Sequence, residues 1–307
     1  MTDLVSHRFD AIGTRWSIDT PLPLDASLVE AVADRVERFD RDWSRFRPDS
    51  LVARIASTAG RTILPDDAPG LLDVYRRLYA ATDGAVSPLV GRTLSDWGYD
   101  EHYSLVPAPR ISSVPSWDDA ISWHGRSIET FRPVTLDVGA AGKGYLADIL
   151  SALLSRAGVD EHTVDGSGDI VHRAPRALRV ALEHPRDATK AIGIVDLSTG
   201  AIGASASNRR VWRGAHHILD AVTGRPTSAV AASWAIAATG IEADGLATAL
   251  IVGDPSRLAE HFDFEWVRML ADGTIERSAG FTGQIFAHET VADRISADRA
   301  AAHEGAA

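Results

Sequence analysis

The residue pair with the most direct chemical meaning lies in the segment Glu-Ala-Asp-Gly-Leu-Ala-Thr, residues 242–248. If this segment is helical, Asp244 and Thr248 are four positions apart and share one face. A carboxylate and a hydroxyl are hard oxygen ligands, which suit Mg²⁺ better than zinc or copper. The alternative is that Asp244 is a favourable charge in a first helical turn and Thr248 an ordinary helix residue.

A second candidate is the glycine-rich segment 137–145, Asp-Val-Gly-Ala-Ala-Gly-Lys-Gly-Tyr. Glycines let a backbone approach a ligand closely, and the N-terminus of a following helix offers free N–H groups to an anion. Lys143 would add a positive charge. The spacing differs from a Walker A loop, which has four residues between its first glycine and the Gly-Lys pair. The segment predicts either an anion-binding turn or a tight connection without a ligand.

Two adjacent histidines, His216 and His217, form a third candidate. Neighbouring residues of a strand face opposite sides, so the two imidazoles are poorly placed to bind one ion together. One of them can face a site, where a neutral imidazole accepts a proton near pH 7. The alternative is a pair of polar strand residues.

Two further segments have the composition of turns. Residues 82–88, Thr-Asp-Gly-Ala-Val-Ser-Pro, follow a predicted helix end, and their backbone could line a planar ligand. Residues 165–169, Asp-Gly-Ser-Gly-Asp, are typical of a turn between strands. Taken alone, both segments are only loops.

The composition limits the classes of function. The chain has 307 residues, 45% of them hydrophobic, which allows one large domain or two intimate lobes. A net charge of -11 argues against a nucleic-acid or anionic-membrane binder, since both need clustered cations. The absence of cysteine excludes disulfides, thiolate catalysis and zinc–thiolate sites. No secretory signal or membrane-spanning run is visible, so we expect a cytoplasmic protein.

The hydrophobic spacing places helices and strands along the chain. Apolar residues recur three and four apart over 25–46 and 144–156, which predicts helices. Residues 67–82, with Pro69 near the first turn and Gly84 after the end, and residues 242–252 are also predicted to be helical. Strand-like runs occupy 8–19 (interrupted at Gly13-Thr14), 121–123, 127–131, 135–138, 178–183, 192–197, 201–204, 211–218, 233–238 and 265–270. Because strands and helices do not alternate regularly, the pattern favours α+β with largely antiparallel sheets over a doubly wound nucleotide fold. The Ala-rich stretch 296–307 is expected to be a disordered tail.

The order of these segments resembles the FAD:protein FMN transferase family, the ApbE-type flavin transferases, from about residue 9 to residue 252. The metal pair lies in residues 243–248, which are similar to the family's Ala-Asp-x-x-x-Thr motif. Six other stretches resemble family motifs in the same order: residues 7–14 (Met-Gly-Thr strand), 44–50 (Arg-Pro-Asp-Ser), 82–86 with 97–99 (Gly-Ala-Phe-Asp and Trp-Gly-Phe), 136–144 (Leu-Asp-Leu-Gly-Gly-Ile-Ala-Lys-Gly), 166–170 (Gly-Gly-Asp-Ile) and 217–226 (His-Ile-Ile-Asp-Pro with Thr-Gly-x-Pro).

The resemblance implies a fold and an activity. The fold would be α+β of the ApbE type, which is T-fold-like, with mixed, largely antiparallel sheets, flanking helices and two intimate lobes. Residues 1–295 would form a single flavin-transferase domain. The activity would be Mg²⁺-dependent transfer of FMN from FAD to a Ser or Thr hydroxyl of an acceptor flavoprotein, with release of AMP. Neither a nucleic acid nor a membrane is expected as a partner.

The resemblance also implies roles for individual residues. His217 would be the base that acts on the acceptor hydroxyl, and Lys143 would help to stabilise the charge on the leaving AMP. The Mg²⁺ ligands would be Asp244, Thr248, the carbonyl of Ala140 and Ala247. FAD would contact Asp137, Lys143 and the backbone around Ile12, Ala85, Val86, Ser87 and Ile218.

Two alternatives remain open on sequence grounds. The same site could hydrolyse FAD to FMN and AMP, because transfer and hydrolysis differ only in the acceptor. The chain could also bind FAD without turning it over, although storage alone needs neither His217 nor the metal pair.

Overall fold

The structure, a computed structural model, describes residues 4–208 and 211–286, together with the backbone of residues 291–293. The predicted tail at 296–307 lies outside these residues. No helix in the described ranges is long and apolar enough to cross a membrane.

The described residues contain eight α-helices and nineteen mostly short strands. The helices are α1 (Ala26–Trp43), α2 (Leu51–Ser57), α3 (Ala68–Ala81), α4 (Gly91–Asp96), α5 (Trp117–Ala120), α6 (Gly142–Arg156), α7 (Gly240–Val252) and α8 (Pro255–His261). The strands are β1 (Val5–Ala11), β2 (Thr14–Thr20), β3 (Gly60–Ile63), β4 (Ile121–His124), β5 (Ser127–Thr130), β6 (His162–Asp165), β7 (Ile170–Arg173), β8 (Leu178–Glu183), β9 (Ala191–Leu197), β10 (Gly200–Ala206), β11 (Val211–Trp212), β12 (Ala215–His216), β13 (Leu219–Asp220), β14 (Arg225–Pro226), β15 (Val230–Ala237), β16 (Glu265–Leu270), β17 (Ile275–Arg277), β18 (Gln284–Ile285) and β19 (Val291–Asp293).

One large sheet organises the molecule. Its nine strands lie in the order β1-β2-β6-β7-β10-β15-β16-β17-β19, and every pair is antiparallel except β17 with β19. Two three-stranded sheets, β18-β9-β8 and β3-β5-β4, and two short ribbons, β11-β12 and β13-β14, accompany it. The predicted α+β class with largely antiparallel sheets is therefore confirmed.

The two faces of the large sheet pack against different layers. On β15, Ala235 and Ala237 belong to the core shared with the helices, whereas Trp234 belongs to a second core. That second core also contains Leu182 of β8 and Val195 of β9, so the β18-β9-β8 sheet covers this face. The alternation follows from the two-residue period of a strand, and it makes β15 a central strand that is buried on both sides.

Helix α7 lies between this sheet and the other helices, and its sequence explains why. Apart from Glu242, Thr248 and Val252, all its side chains are buried, and a helix that is apolar on all sides belongs in a core. Thr239 caps its start by accepting a hydrogen bond from the Glu242 N–H at 3.4 Å. The helix therefore carries Asp244 into the interior.

Most predicted elements are present, and three strand predictions are wrong. Residues 8–19 are not one interrupted strand, because the chain reverses at Ile12 and Gly13 and forms the antiparallel pair β1–β2. Residues 135–138 are not in a sheet, because the Asp137 N–H donates to the Pro88 carbonyl at 2.7 Å rather than to a strand. Residues 211–218 are not one strand, because Arg213 and Gly214 adopt φ values of 45° and 82° and reverse the chain between β11 and β12. The predicted helices agree with α1, α3, α6 and α7 to within a few residues.

Candidate active site

A cavity of about 460 Å³ collects the residues that the sequence singled out. Its walls come from the β1–β2 turn, the end of α1, the loop before α4, the start of α6, the strand β10, the loop before β13 and the helix α7. All the predicted site residues line it except Ala247: they are Ile12, Ala85, Val86, Ser87, Asp137, Ala140, Lys143, His217, Ile218, Asp244 and Thr248. The carbonyl of Ala247 instead accepts a hydrogen bond of 2.6 Å from Ser233 of β15.

The oxygens predicted to bind a metal converge at one corner of this cavity, which we call the metal corner (Ala140, Asp244 and Thr248). The Thr248 hydroxyl donates to the Ala140 carbonyl at 3.3 Å, and it lies 3.1 Å from the Ser205 hydroxyl. Asp244 is only 1% exposed, and its Oδ2 accepts the Gly144 N–H at 2.9 Å. The helical spacing of Asp244 and Thr248 thus directs both side chains to the same place, as the sequence predicted.

Close contact between α6 and α7 makes this placement possible. A Cβ atom built on Gly144 would lie 1.9 Å from the Gly240 carbonyl oxygen and 2.7 Å from the Asp244 Cβ. A Cβ built on Gly240 would likewise lie 2.5 Å from the Gly144 oxygen. Any side chain at either position would push the two helices apart, so these glycines set the depth at which Asp244 enters the cavity.

The two histidines have different surroundings, as their adjacency predicted. His216 is buried, its Nδ1 accepts the Ile218 N–H at 3.2 Å, and its Nε2 lies 2.5 Å from the Thr227 carbonyl oxygen. His217 lines the cavity, with its ring 6.3 Å from that of Tyr99. His216 therefore has a structural role, and His217 is the one that can meet a ligand.

The turn between β1 and β2 brings strained backbone to the cavity. Ile12 and Gly13 have φ values of 43° and 77°, and positive φ is unusual for a β-branched residue. Such strain costs on the order of 1–3 kcal/mol and tends to persist where a site requires it. Ile12 thus adds an apolar side chain to the cavity wall, which Gly or Asn, the usual residues at positive φ, would not provide.

A family model described as the ApbE family matches residues 12–267 of the chain. The chain belongs to the ApbE family. Among its relatives, the FAD:protein FMN transferase of Klebsiella pneumoniae (strain 342) is 26% identical over 272 residues, which is 80% of this chain and 77% of the relative. The FAD:protein FMN transferase of Escherichia coli (strain K12) is 25% identical over 274 residues, covering 81% and 78% of the two chains.

Solved structures of similar proteins have the same fold as this ApbE-family protein. The ApbE protein from Thermotoga maritima superposes with a TM-score of 0.78 at 24% identity, covering 90% of this chain and 97% of its own. The flavin transferase ApbE from Vibrio cholerae gives 0.75 at 22% identity, covering 91% and 98%. The resemblance noted from sequence motifs is confirmed at the level of family and fold.

Two charged side chains, Lys143 and Asp169, lie beside the metal corner of this ApbE-family protein. Lys143 pairs with Asp169 and lies 3.4 Å from Asp244. Burial lowers the pKa of Lys143, but the two carboxylates outweigh it and hold this pKa above its usual value. Burial, reinforced by the nearby charge of Asp169, raises the pKa of Asp244, and Lys143 opposes the rise. Asp244 of the metal corner and the neighbouring Asp169 are thus two buried carboxylates that share one cation, Lys143.

These donors fit Mg²⁺. A carboxylate, a hydroxyl and a backbone carbonyl are all hard oxygens, and Mg²⁺ in nucleotide sites takes few protein ligands and completes its shell with water and phosphate. A second cation beside Asp169 and Asp244 would also relieve the cost of burying two carboxylates with a single lysine. Asp244, Thr248 and the Ala140 carbonyl are the groups that would hold the ion.

Sequence reasoning missed two charged residues of the site. Arg45 is buried, and its Nε donates to Asp137 Oδ2 at 2.5 Å while its guanidinium lies 4.2 Å from the ring centroid of Phe46. Asp169 accepts the Ala204 N–H at 3.2 Å and pairs with Lys143. Asp169 lies in a segment predicted to be a turn and similar to the family's Gly-Gly-Asp-Ile motif, and Arg45 lies in the segment similar to Arg-Pro-Asp-Ser, but neither pattern assigned these two residues a role or a partner.

A further carboxylate, Asp148 of α6, gives a testable pH dependence. Burial raises its pKa to about 6, against the opposing effect of two backbone N–H groups of α7 and the attraction of Arg173. The folded protein therefore keeps a proton between about pH 4 and pH 6 that the unfolded chain, with a pKa of 3.8, has already lost. Linkage then lowers the free energy of unfolding as pH rises through this window, by about 3 kcal/mol for a two-unit shift.

Asp148→Asn removes the titrating carboxyl. The free energy of unfolding of the variant should therefore not fall between about pH 4 and pH 6 as that of the wild type does. Urea unfolding of both proteins at pH 4, 5, 6 and 7 measures it. The difference in stability between variant and wild type should grow in favour of the variant from pH 4 to pH 6 and then stay constant. Parallel profiles would show that the Asp148 carboxyl has an ordinary pKa.

Proposed function

We propose that this protein transfers FMN from FAD to a Ser or Thr hydroxyl of an acceptor flavoprotein in a Mg²⁺-dependent reaction that releases AMP. The observation that carries the proposal is the single cavity into which the metal corner, Lys143 and His217 all open. A diphosphate needs local positive charge in a protein of net charge -11, and a hydroxyl nucleophile needs a proton acceptor. The relatives named FAD:protein FMN transferase support the same choice.

The residues divide into two groups by what they would contact. The pyrophosphate of FAD would lie against the metal corner, where Mg²⁺, when bound, supplies positive charge beside its oxygens. Lys143 would contact the phosphate that leaves with AMP and so stabilise the charge that develops there. Asp137 and the walls formed by Ile12, Ile218 and residues 85–87 would hold the rest of the dinucleotide.

His217 would act on the acceptor. The acceptor oxygen attacks the FMN phosphorus, the P–O bond to the AMP phosphate breaks, and AMP leaves with the bonding electrons. The proton of the hydroxyl passes to the His217 imidazole, since a neutral imidazole can act as a general base. Since a phosphoryl transfer needs little covalent work from the protein, positioning and charge account for most of the rate.

Substitution of His217 distinguishes a general base from a residue that only binds FAD. His217→Gln should lower the rate of FMN transfer by about 10²–10⁴-fold, which is the usual contribution of a general base, with a much smaller change in FAD affinity. Stopped assays of AMP release and fluorescence titration of FAD measure the two quantities. His124→Gln, at an exposed position of β4, is the matched control and should behave as wild type. Collapse of FAD affinity with unchanged turnover of bound FAD would assign His217 to binding.

Hydrolysis of FAD is the second candidate, because water can enter the same cavity. Incubation with FAD and Mg²⁺, with and without a purified flavin-acceptor domain, separates the two. Covalent flavin on the acceptor, with AMP formed only when the acceptor is present, supports transfer. AMP and free FMN without acceptor indicate a pyrophosphatase, and no AMP in either tube indicates an FAD-binding protein.

The proposal extends to a cytoplasmic acceptor. Its support is that the chain has no cysteine, so nothing in it depends on an oxidising compartment. Fractionation of cells that express the native gene, followed by detection of this protein and of flavinylated acceptor, tests it; recovery of both outside the cytoplasm would contradict it.

A further inference from the structure

Helices α6 and α7 exchange carboxylate caps. Asp148 of α6 accepts the N–H groups of Gly240 and Ile241, the first two of α7, one on each oxygen and each at 2.8 Å. In return, Asp244 of α7 accepts the N–H of Gly144 in the first turn of α6 at 2.9 Å. Each helix start is therefore held by a carboxylate of the other helix, which favours the positive end of its dipole.

This exchange is not needed simply to begin α7. Thr239 already caps that helix through the Glu242 N–H, and the Thr239 carbonyl accepts the Ala243 N–H at 3.0 Å. The Asp148 carboxylate is largely buried, and its ionised form is costly there, as the raised pKa shows. Because the ionised carboxylate lowers the stability of the folded protein, we expect it to have a role other than stabilisation.

The role follows from what each helix carries. Asp244 lies about one turn and Thr248 about two turns beyond the amides that Asp148 holds. Lys143 and the preceding Ala140 carbonyl belong to the start of α6. The relative height of the two helices therefore sets the distances among all groups of the metal corner. The Gly144–Gly240 contact fixes how close the helices are, and the hydrogen bonds of Asp148 and Asp244 fix their relative height.

We infer that Asp148 is a positioning residue for the metal corner, and that it maintains Mg²⁺ affinity by locking α7 to α6. This inference rests on the proposed function, since it assumes that Asp244 and Thr248 bind Mg²⁺. Groups that orient metal ligands without touching the metal typically change affinity 10–100-fold when they are removed. Asp148 acts on the ligands through the backbone of the helix that bears them.

The test compares Asp148→Asn with Thr239→Ala. Both variants remove a cap from the same end of α7, but Thr239 is exposed and contacts no residue of α6 through its hydroxyl. Asn keeps the size of Asp and one acceptor oxygen, so folding should be retained; Asp148→Ala removes both hydrogen bonds. Three quantities are measured: the Mg²⁺ concentration that half-saturates AMP release, the rise in melting temperature caused by Mg²⁺ with FAD present, and the FAD Kd in EDTA.

We expect Asp148→Asn to raise the half-saturating Mg²⁺ concentration about tenfold and to reduce the Mg²⁺-induced melting shift. Asp148→Ala should raise the half-saturating Mg²⁺ concentration further and reduce the Mg²⁺-induced melting shift further. Thr239→Ala should stay within about twofold of wild type. The FAD Kd in EDTA should stay unchanged in all three variants. Equal effects of Thr239→Ala and Asp148→Asn, or no change in either Mg²⁺ readout for Asp148→Asn, would overturn the inference. If wild type itself shows no response to Mg²⁺, the metal part of the proposed function has failed instead.

Discussion

Asp244→Asn should abolish Mg²⁺-dependent AMP release while leaving the fold intact. The substitution keeps the size of the side chain and an oxygen that can accept the Gly144 N–H, so the link between α6 and α7 survives. It removes the one carboxylate among the proposed Mg²⁺ ligands, and the other two proposed ligands, Thr248 and the Ala140 carbonyl, are neutral. We expect a loss in turnover of about 10³-fold or more, equivalent to about 4 kcal/mol of transition-state stabilisation.

The control for this variant is Asp254→Asn. Asp254 caps α8 by accepting the Ser256 N–H at 2.8 Å, does not line the cavity and should affect stability slightly without changing turnover. Circular dichroism and melting establish that each variant is folded before AMP release is compared across a Mg²⁺ titration. Wild-type turnover in folded Asp244→Asn would remove Asp244 from the metal site.

Among substitutions that add one methyl group to the site, Gly144→Ala should lower the stability of the protein most. The new Cβ would lie 1.9 Å from the Gly240 oxygen and 2.5 Å from the Gly240 carbonyl carbon, and both are backbone atoms that no rotamer change can move. The helices must separate, which loosens the packing around the buried Asp244 and breaks its hydrogen bond to residue 144. We expect a loss of about 3 kcal/mol or more in the free energy of unfolding, together with loss of activity.

Gly70→Ala is the matched control, because it adds the same methyl group to another helix. Gly70 lies in α3, and nothing lies within 4 Å of a Cβ built there. Alanine is the better helix former by up to about 1 kcal/mol, so this variant should be as stable as wild type or more stable. Urea unfolding of the two variants provides the comparison. A Gly144→Ala protein that unfolds at the wild-type midpoint would mean that α6 and α7 are further apart than the structure places them.

Local periodicity and turn composition predict one part of the site, and the family resemblance adds the other candidate residues. The spacing of Asp244 and Thr248 places both on one helical face, and the adjacency of His216 and His217 sends only one of them to the cavity. The turn at 165–169 likewise separates two strands, β6 and β7, as its composition indicates. In each case the governing interaction lies within a few residues of chain.

The remaining part depends on contacts between distant segments. Arg45 meets Asp137 and Asp148 meets Gly240 across 92 positions each, and Lys143 meets Asp169 across 26. No hydrophobic period marks such pairs, because a charged residue at the edge of a core looks like any surface charge in one sequence. The expected strand at 135–138 was wrong for a related reason. Alternating apolar residues indicate burial, but here the Asp137 N–H donates to the Pro88 carbonyl rather than to a neighbouring strand.

The central claim is that FAD is split at the metal corner and its FMN half is passed to an acceptor hydroxyl. The most direct test mixes the protein with FAD and a purified flavin-acceptor domain in EDTA, starts the reaction with excess Mg²⁺, and follows AMP and acceptor-bound flavin together. A parallel reaction uses the same domain with its target Ser or Thr replaced by Ala. We expect one AMP for each covalently bound flavin, no product before Mg²⁺ is added, and no covalent flavin on the Ala domain. Covalent flavin formed at the full rate in EDTA, or AMP released at the same rate with either domain and without flavin attachment, would contradict it.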